Sequence, residues 1–136
     1  MSERRFFDTN IFVYAVDLDS PKQPQAENLV SEGFQTGLAV LSTQILQEFF
    51  VVATRKLKID LAVARRHVEL LSALETITVR TDMIVAAIDL QRLQKLSFWD
   101  ALVVKSASFA GCKKLLSEDL QHGAVIDGVR IENPFR

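Results

Sequence analysis

Four acidic residues lie in partly apolar surroundings or at the ends of predicted strands, and their oxygen atoms could together bind a divalent metal ion. Asp8 interrupts an apolar run in ERRFFDTNIFVYAVD, residues 3–17. Glu48 borders the apolar face of a predicted helix, Asp100 lies one turn into another, and Asp119 follows a short apolar strand. Carboxylates without histidine or cysteine are ligands for Mg²⁺ or Mn²⁺ rather than for zinc. These residue types therefore indicate a site for a hard cation.

Asp8 and Asp100 also have local explanations that need no metal. An Asp directly after a strand can end that strand, because its side chain hydrogen-bonds to the neighbouring backbone. Asp100 lies three residues after Ser97, which is the spacing of a capping box with Asp in place of Glu. Taken singly, a cap is the better interpretation of Asp100. The choice therefore depends on where the fold places all four acids.

Strands and helices alternate along the chain, and this alternation predicts where the acids lie. Strands are predicted over residues 4–7, 38–41, 77–79, 113–119 and 129–134. Helices are predicted over residues 20–37, 43–58, 60–75, 81–96 and 97–111, with Asp60 and Thr81 as caps of the third and fourth. The pattern predicts a doubly wound α/β fold, a parallel sheet of about five strands with helices on both faces. Such sheets bind ligands at the carboxyl ends of their strands, where Asp8 and Asp119 lie.

The composition predicts one globular domain over residues 1–136. Of these residues, 49% are hydrophobic and 24% are charged, which suffices for one core. A net charge of -1 argues against a uniformly basic nucleic-acid-binding surface, although metal ions could meet the phosphates of a substrate. Cys112 is the one cysteine and has no partner for a disulfide. Since no apolar run suits a membrane span or a signal sequence, we expect a cytoplasmic protein without membrane contact.

Four segments of the chain resemble the PIN domain family and, within it, the VapC-type toxin ribonucleases of type II toxin-antitoxin systems. They are FFDTNIFVYA at 6–15, STQILQEFF at 42–50, FWDALVVKSASFAGCKKLLSEDLQHG at 98–123 and IENPF at 131–135. The resemblance thus spans the chain from end to end. It implies a PIN-like doubly wound sheet whose acids hold one or two Mg²⁺ or Mn²⁺ ions and cut single-stranded or structured RNA.

The resemblance also implies roles for individual residues. The acids that match the catalytic and metal-binding positions are Asp8, Glu48, Asp100 and Asp119. Asn10 and Ser117 match polar positions that support the site. Many relatives have a further Asp where this chain has Gln121. Glu118 could compensate, but strand alternation would direct its side chain to the face opposite Asp119, so the number of bound metals stays open.

The resemblance further implies a homodimer and a cognate antitoxin whose tail lies across the acidic site. Two other interpretations stay open. Asp8 could be the nucleophile of an aspartyl-phosphate phosphatase, although the familiar haloacid-dehalogenase pattern needs an Asp where the chain has Asn10. A non-catalytic domain could instead act through a homodimer or a regulatory partner, since a mean hydropathy of +0.15 leaves apolar surface for binding.

Overall fold

A six-stranded sheet is the framework of the computed structural model, which describes residues 3–136. Its strands are β1 (Arg5–Phe7), β2 (Ala39–Ser42), β3 (Glu75–Ile77), β4 (Lys114–Leu116), β5 (Val125–Ile126) and β6 (Val129–Glu132). They lie in the order β3-β2-β1-β4-β6-β5, and all but β5 are parallel. The doubly wound α/β fold is therefore confirmed. The first two residues of the domain predicted over residues 1–136 lie outside the described part.

The sheet has an edge strand that the sequence pattern did not indicate. β5 pairs antiparallel with β6, and Ile126 lies opposite Val129. Between them, Asp127 and Gly128 have φ angles of 52° and 77°. Two consecutive positive φ angles form the tight hairpin turn for which Asp-Gly is a preferred sequence. The Asp-Gly dipeptide could therefore have indicated a β-hairpin at this position, and with it the additional strand.

Within residues 3–136, six helices connect the strands. They are α1 (Thr9–Val16), α2 (Gln23–Thr36), α3 (Thr43–Arg55), α4 (Leu61–Leu71), α5 (Thr81–Leu93) and α6 (Phe98–Phe109). The five predicted helices are confirmed with shorter bounds, and α1 is an addition. Its sequence, TNIFVYAV, is rich in weak helix formers, so the burial of Ile11 and Phe12 is what stabilises it. No helix within the described residues is long and apolar enough to cross a membrane.

Both faces of the central strands are buried. Neighbouring residues of a strand point to opposite faces of the sheet. In β1, Phe6 and Phe7 are both fully buried, and the same holds for Leu115 and Leu116 in β4. Helices therefore cover the sheet on both sides, as the alternation of elements predicts.

Helix α2 lies very close to the sheet at Gly33. A Cβ atom added to Gly33 would lie 2.6 Å from the Cβ of Ala39, the first residue of β2. The side chain of Ala39 is a single methyl group fixed to the backbone, so it cannot rotate away. The absence of a side chain at Gly33 therefore sets how closely this helix approaches the sheet.

The predicted caps of α4 and α5 differ in outcome. Asp60 accepts a hydrogen bond from the N–H of Ala62 (3.2 Å), so it caps α4 as predicted. Thr81 is instead the first residue of α5, and among the described residues no side chain caps this helix. The prediction for Thr81 was wrong because the helix begins one residue earlier, after Arg80, whose guanidinium pairs with Asp82.

The strand order reverses beside β1, and this reversal creates a binding crevice. From β1 the chain continues through β2 to β3 on one side, and then crosses to β4 on the other. The carboxyl ends of β1 and β4 therefore flank a topological switch point, where doubly wound sheets bind ligands. Asp8 directly follows β1, and Ser117 directly follows β4.

Candidate active site

Asp8 is held where β1 ends and α1 begins. Its N–H donates to the carbonyl oxygen of Leu116 (2.9 Å), which continues the pairing of β1 with β4. Its carboxylate accepts hydrogen bonds from the N–H of Thr9 (2.8 Å) and the hydroxyl of Ser117 (2.7 Å). Only 5% of the residue is exposed. Asp8 therefore both caps α1 and brings a buried carboxylate to the switch point.

The carboxyl group of Asp8 ionises less readily than an exposed carboxyl group. Burial raises its pKa from 3.8 to about 6, against the hydrogen bonds from Ser117 and Thr9, which lower it. The negative charges of Asp119 and Glu48 raise the pKa further. The charges of two of the other predicted acids therefore act on Asp8.

A set of hydrogen bonds ties Asp119 to the ends of β1 and β4. The buried Ser117 hydroxyl donates to Asp8 and accepts from the N–H of Asp119 (3.2 Å). The Asn10 amide donates to the Asp119 carboxylate (3.2 Å) and accepts from the N–H of Glu118 (3.3 Å). The structure thus brings Asn10 and Ser117, which the sequence singled out as supporting residues, into contact with the acids.

Two residues that the sequence analysis did not single out orient Glu48. The Thr9 hydroxyl donates to Oε1 of Glu48 (2.7 Å), and the Gln44 amide nitrogen donates to Oε2 (3.2 Å). Thr9 was not distinguished from other residues near Asp8. Gln44 lies one turn before Glu48 on α3, and this i, i+4 spacing was the available signal for their contact.

Gln44 also joins α3 to α6. Its amide nitrogen donates to the carbonyl oxygen of Trp99 (3.2 Å) as well as to Glu48. Since both neighbours are acceptors, the nitrogen of the amide must face them. The residue is 4% exposed, and its Oε1 has no hydrogen-bond partner among the described residues. Gln44 is therefore a buried link between the helices that carry Glu48 and Asp100.

Asp100 lies in the first turn of α6, where Ser97 supplies the cap. The N–H of Asp100 donates to the Ser97 hydroxyl (3.1 Å), as the capping-box spacing predicts. Burial raises the pKa of the half-buried Asp100 carboxyl, a hydrogen bond with the Ser97 side chain lowers it, and the charge of Asp119 raises it. The backbone of Asp100 therefore serves the cap while its carboxylate lies within electrostatic reach of Asp119.

The donor set fits a divalent ion that takes few protein ligands. Within residues 3–136, no three acidic, histidine or cysteine side chains converge closely enough to enclose a metal ion. Mg²⁺ usually binds one or two carboxylates and completes its shell with water and substrate phosphate oxygens. The charge of Asp119 raises the pKa of both Asp8 and Asp100, so Asp119 lies within electrostatic reach of each. Carboxylates in this arrangement suit Mg²⁺ or Mn²⁺.

Glu118 is engaged elsewhere and does not extend this set. Its carboxylate accepts a hydrogen bond from the Tyr14 hydroxyl and forms an ion pair with Lys22. Burial by itself would raise the pKa of Glu118, but the bonds from Lys22 and Tyr14 bring it below its ordinary value. β4 ends at Leu116, so these bonds, and not strand alternation, direct the side chain. Gln121 is exposed.

An open cleft of about 660 Å³ passes beside these residues. Among its polar lining residues are Thr9, Asn10, Gln44, Glu48 and Asp119. Among its apolar lining residues are Val13, Val51, Val52, Leu57 and Trp99. A volume of this size is in the range of small-molecule sites. The cleft can therefore admit part of a larger polar substrate beside the acids.

Comparison with known proteins identifies a family model. The model of the PIN domain matches residues 5–126. No curated protein sequence matches the chain at a significant level.

Several solved structures share the fold of the chain. VapC20 from Mycobacterium tuberculosis, a sarcin-ricin loop cleaving toxin, has a TM-score of 0.73 at 19% identity and covers 93% of this chain and 98% of its own. A toxin-antitoxin complex from Klebsiella pneumoniae has a TM-score of 0.70 at 22% identity, with coverage of 96% and 97%. VapBC2 from Rickettsia felis, bound to a DNA fragment from its promoter, has a TM-score of 0.70 at 18% identity, with coverage of 95% and 97%. At these identities, the likeness is one of fold.

Proposed function

The chain belongs to the PIN domain family, and on this basis we propose that it is a Mg²⁺- or Mn²⁺-dependent endoribonuclease that hydrolyses phosphodiester bonds. One observation carries the proposal: the buried Asp8 is hydrogen-bonded to Thr9, which also bonds Glu48, and to Ser117, which also bonds Asp119. A close pair of carboxylates repels by roughly 1–4 kcal/mol, depending on the local dielectric. A bound cation would offset this repulsion, so the arrangement suits a site that functions with its metal.

One or two of the carboxylates of Asp8, Asp100 and Asp119 would hold the metal, and water and the substrate phosphate would complete its ligand shell. When bound, it would lower the pKa of a coordinated water and offset the charge that develops on the phosphate. The chain itself holds the acids in place. Ser117 and Thr9 orient the two oxygens of Asp8, and Asn10 orients Asp119.

Glu48 would orient the attacking water or hold a second metal ion. Thr9 and Gln44 each donate to one of its oxygens, so the plane of the carboxylate is set before substrate binds. Each oxygen keeps a lone pair that can accept a proton of the water. Attack by the water oxygen on phosphorus breaks the bond to the 3′ oxygen, which takes a proton. The products would be a 3′-hydroxyl on one fragment and a 5′-phosphate on the other.

We further propose that the protein is the cytoplasmic toxin of a toxin-antitoxin pair and forms a homodimer. Two of the three structures named above are described as complexes of a toxin with its antitoxin or of VapBC. In this chain, α5 exposes Ile84, Val85, Ile88 and Leu93, which is apolar surface that a partner could cover. Sedimentation of the purified chain tests the dimer, and a monomer at micromolar concentration would contradict it.

The decisive experiment is cleavage of a mixed single-stranded RNA by the purified protein in Mn²⁺ or Mg²⁺. We expect cleavage that stops in EDTA and in Asp8→Asn, with a 5′-phosphate on the downstream fragment. Asp89→Asn is the matched control, since it makes the same chemical change at an exposed carboxylate of α5. Equal cleavage by Asp8→Asn would mean that a contaminant is responsible. A phosphoenzyme trapped at Asp8 would favour the phosphatase interpretation instead.

A further inference from the structure

Trp99 is the only tryptophan in the chain, and it stands at the edge of the acidic site. It lies in the first turn of α6, directly before Asp100, and it lines the same cleft as Glu48 and Asp119. The residue is 60% exposed. A large aromatic ring left in water beside a polar site is a common feature of binding surfaces.

The position of Trp99 is set by its neighbours. Its carbonyl oxygen accepts a hydrogen bond from the buried amide of Gln44 (3.2 Å), which also holds Glu48. Its ring packs edge to face on Phe98, with the ring centres 5.1 Å apart and the planes at 75°. The exposed ring is therefore placed relative to the acids through one short chain of contacts.

The surroundings of Trp99 suit a flat, uncharged group more than a phosphate. Val51, Val52 and Leu57 line the cleft with it, and they offer only apolar surface. Among the described residues that line this cleft, Lys56 is the one with a cationic side chain. Proteins grip single-stranded nucleic acid by stacking bases on aromatic rings while cationic groups follow the backbone.

We propose that Trp99 is a stacking platform for one nucleobase of the RNA, next to the phosphate that is cut. The inference rests on the proposed ribonuclease function. A nucleotide whose phosphate lies at the acids can place an adjacent base in the same cleft. There the ring of Trp99 is exposed, whereas Tyr14, the other aromatic residue of the lining, packs against Phe135 and Lys22. Trp99 is thus a residue that selects the position of cleavage.

The single tryptophan makes the test specific to this position. Short single-stranded RNA is titrated into Asp8→Asn, which should not cleave it, and binding is followed both by tryptophan fluorescence and by the anisotropy of labelled RNA. We expect saturable quenching that disappears when one base of the RNA is replaced by an abasic ribose. Trp99→Ala should weaken binding about 5- to 100-fold, as stacking of one base predicts. Trp99→Phe should restore most of the affinity.

Phe109 supplies the matched control. It is an aromatic residue of the same helix, it is 46% exposed, and it lies at the end opposite Trp99. Phe109→Ala should leave RNA affinity and cleavage positions unchanged, whereas Trp99→Ala in the active protein should alter which phosphates are cut.

The outcomes separate this inference from the proposed function. If the RNA binds with unchanged fluorescence, and Trp99→Ala binds it equally well, the stacking inference is overturned. The proposed ribonuclease function is not affected by that result. If the fluorescence changes with protein concentration but not with RNA, a second copy covers Trp99 and the inference is likewise overturned. If RNA quenches Trp99 but the protein with Asp8 intact never cleaves RNA, the stacking site stands and the nuclease proposal fails.

Discussion

Replacing Asp8 with Asn should stabilise the metal-free protein at neutral pH while abolishing its activity. The pKa of the buried carboxyl is about 6 in the folded protein, against an ordinary value of 3.8. As the pH rises from 4 to 6, the unfolded chain releases this proton before the folded chain does, so the free energy of unfolding falls. Above pH 6 the group is ionised in both states, and the loss is complete.

The raised pKa gives the size of the effect. At about 1.4 kcal/mol per pH unit, the ionised Asp8 destabilises the folded protein by about 3 kcal/mol at pH 8. About 2 kcal/mol of this cost develops between pH 4 and pH 8. Asn carries no charge and can still accept from the N–H of Thr9, although its bond with Ser117 is weaker. The pKa of about 6 already includes the stronger bond that Ser117 donates to the ionised carboxylate, so the variant should gain about 2 kcal/mol on the parent protein between the two pH values.

Urea unfolding in EDTA at pH 4 and pH 8 measures this gain. Asp89→Asn, an exposed carboxylate of α5, is the control and should differ from the parent protein by less than about 0.5 kcal/mol at either pH. Added Mn²⁺ should then stabilise the parent protein and Asp89→Asn but not Asp8→Asn, because a ligand stabilises only the state that binds it. A stability difference for Asp8→Asn that is the same at both pH values would refute the reasoning from burial.

Three further substitutions test other parts of the structure. Asp100→Asn should change the free energy of unfolding by less than about 0.5 kcal/mol, since its cap bond uses the backbone, yet slow RNA cleavage about 100-fold or more. Gly33→Ala should lower the free energy of unfolding in urea by about 1–3 kcal/mol, because the added Cβ would meet Ala39. Ser117→Ala should raise the pKa of Asp8 and lower the free energy of unfolding at pH 8 by about 1–3 kcal/mol, because the carboxylate loses a hydrogen bond.

Each of these expectations has a contradicting result. Undiminished cleavage by Asp100→Asn would remove Asp100 from the metal site. Stabilisation by Gly33→Ala would mean that α2 can move away from the sheet. The variant would then show only the higher helix propensity of Ala over Gly, which is worth about 1 kcal/mol. Ser31→Ala, at an exposed position of the same helix, is the control. A Ser117→Ala protein with unchanged stability at pH 8 would show that water replaces the lost hydroxyl.

Where the candidate acids lie in the fold could largely be predicted from the sequence, because their positions follow local rules. Asp8 and Asp119 come just after apolar strands, and the carboxyl ends of parallel strands meet at one edge of the sheet. Asp100 follows Ser97 at capping distance, so the start of α6 was predictable to within one residue. The alternation of elements was enough for the α/β class, since helix and strand periods differ and the order of elements restricts the topology.

The parts that could not be read depend on residues distant in the sequence. Helix α1 is built from weak helix formers and is stabilised by packing against the core. Glu118 was weighed as an extra acid, but Tyr14 and Lys22 take up its carboxylate across the fold.

The sequence by itself determined the alternation of strands and helices and the position of Asp8 and Asp119 after apolar strands, because both follow from short-range periodicity and backbone geometry. Only the tertiary structure decided that Thr9 and Gln44 orient Glu48 and that Gln44 reaches the backbone of Trp99. Hydrogen-bond partners of this kind are chosen by the packing of helices against the sheet. The hydrogen bond between Gln44 and Trp99 joins residues 55 positions apart, and no periodic pattern in the sequence indicates such a contact.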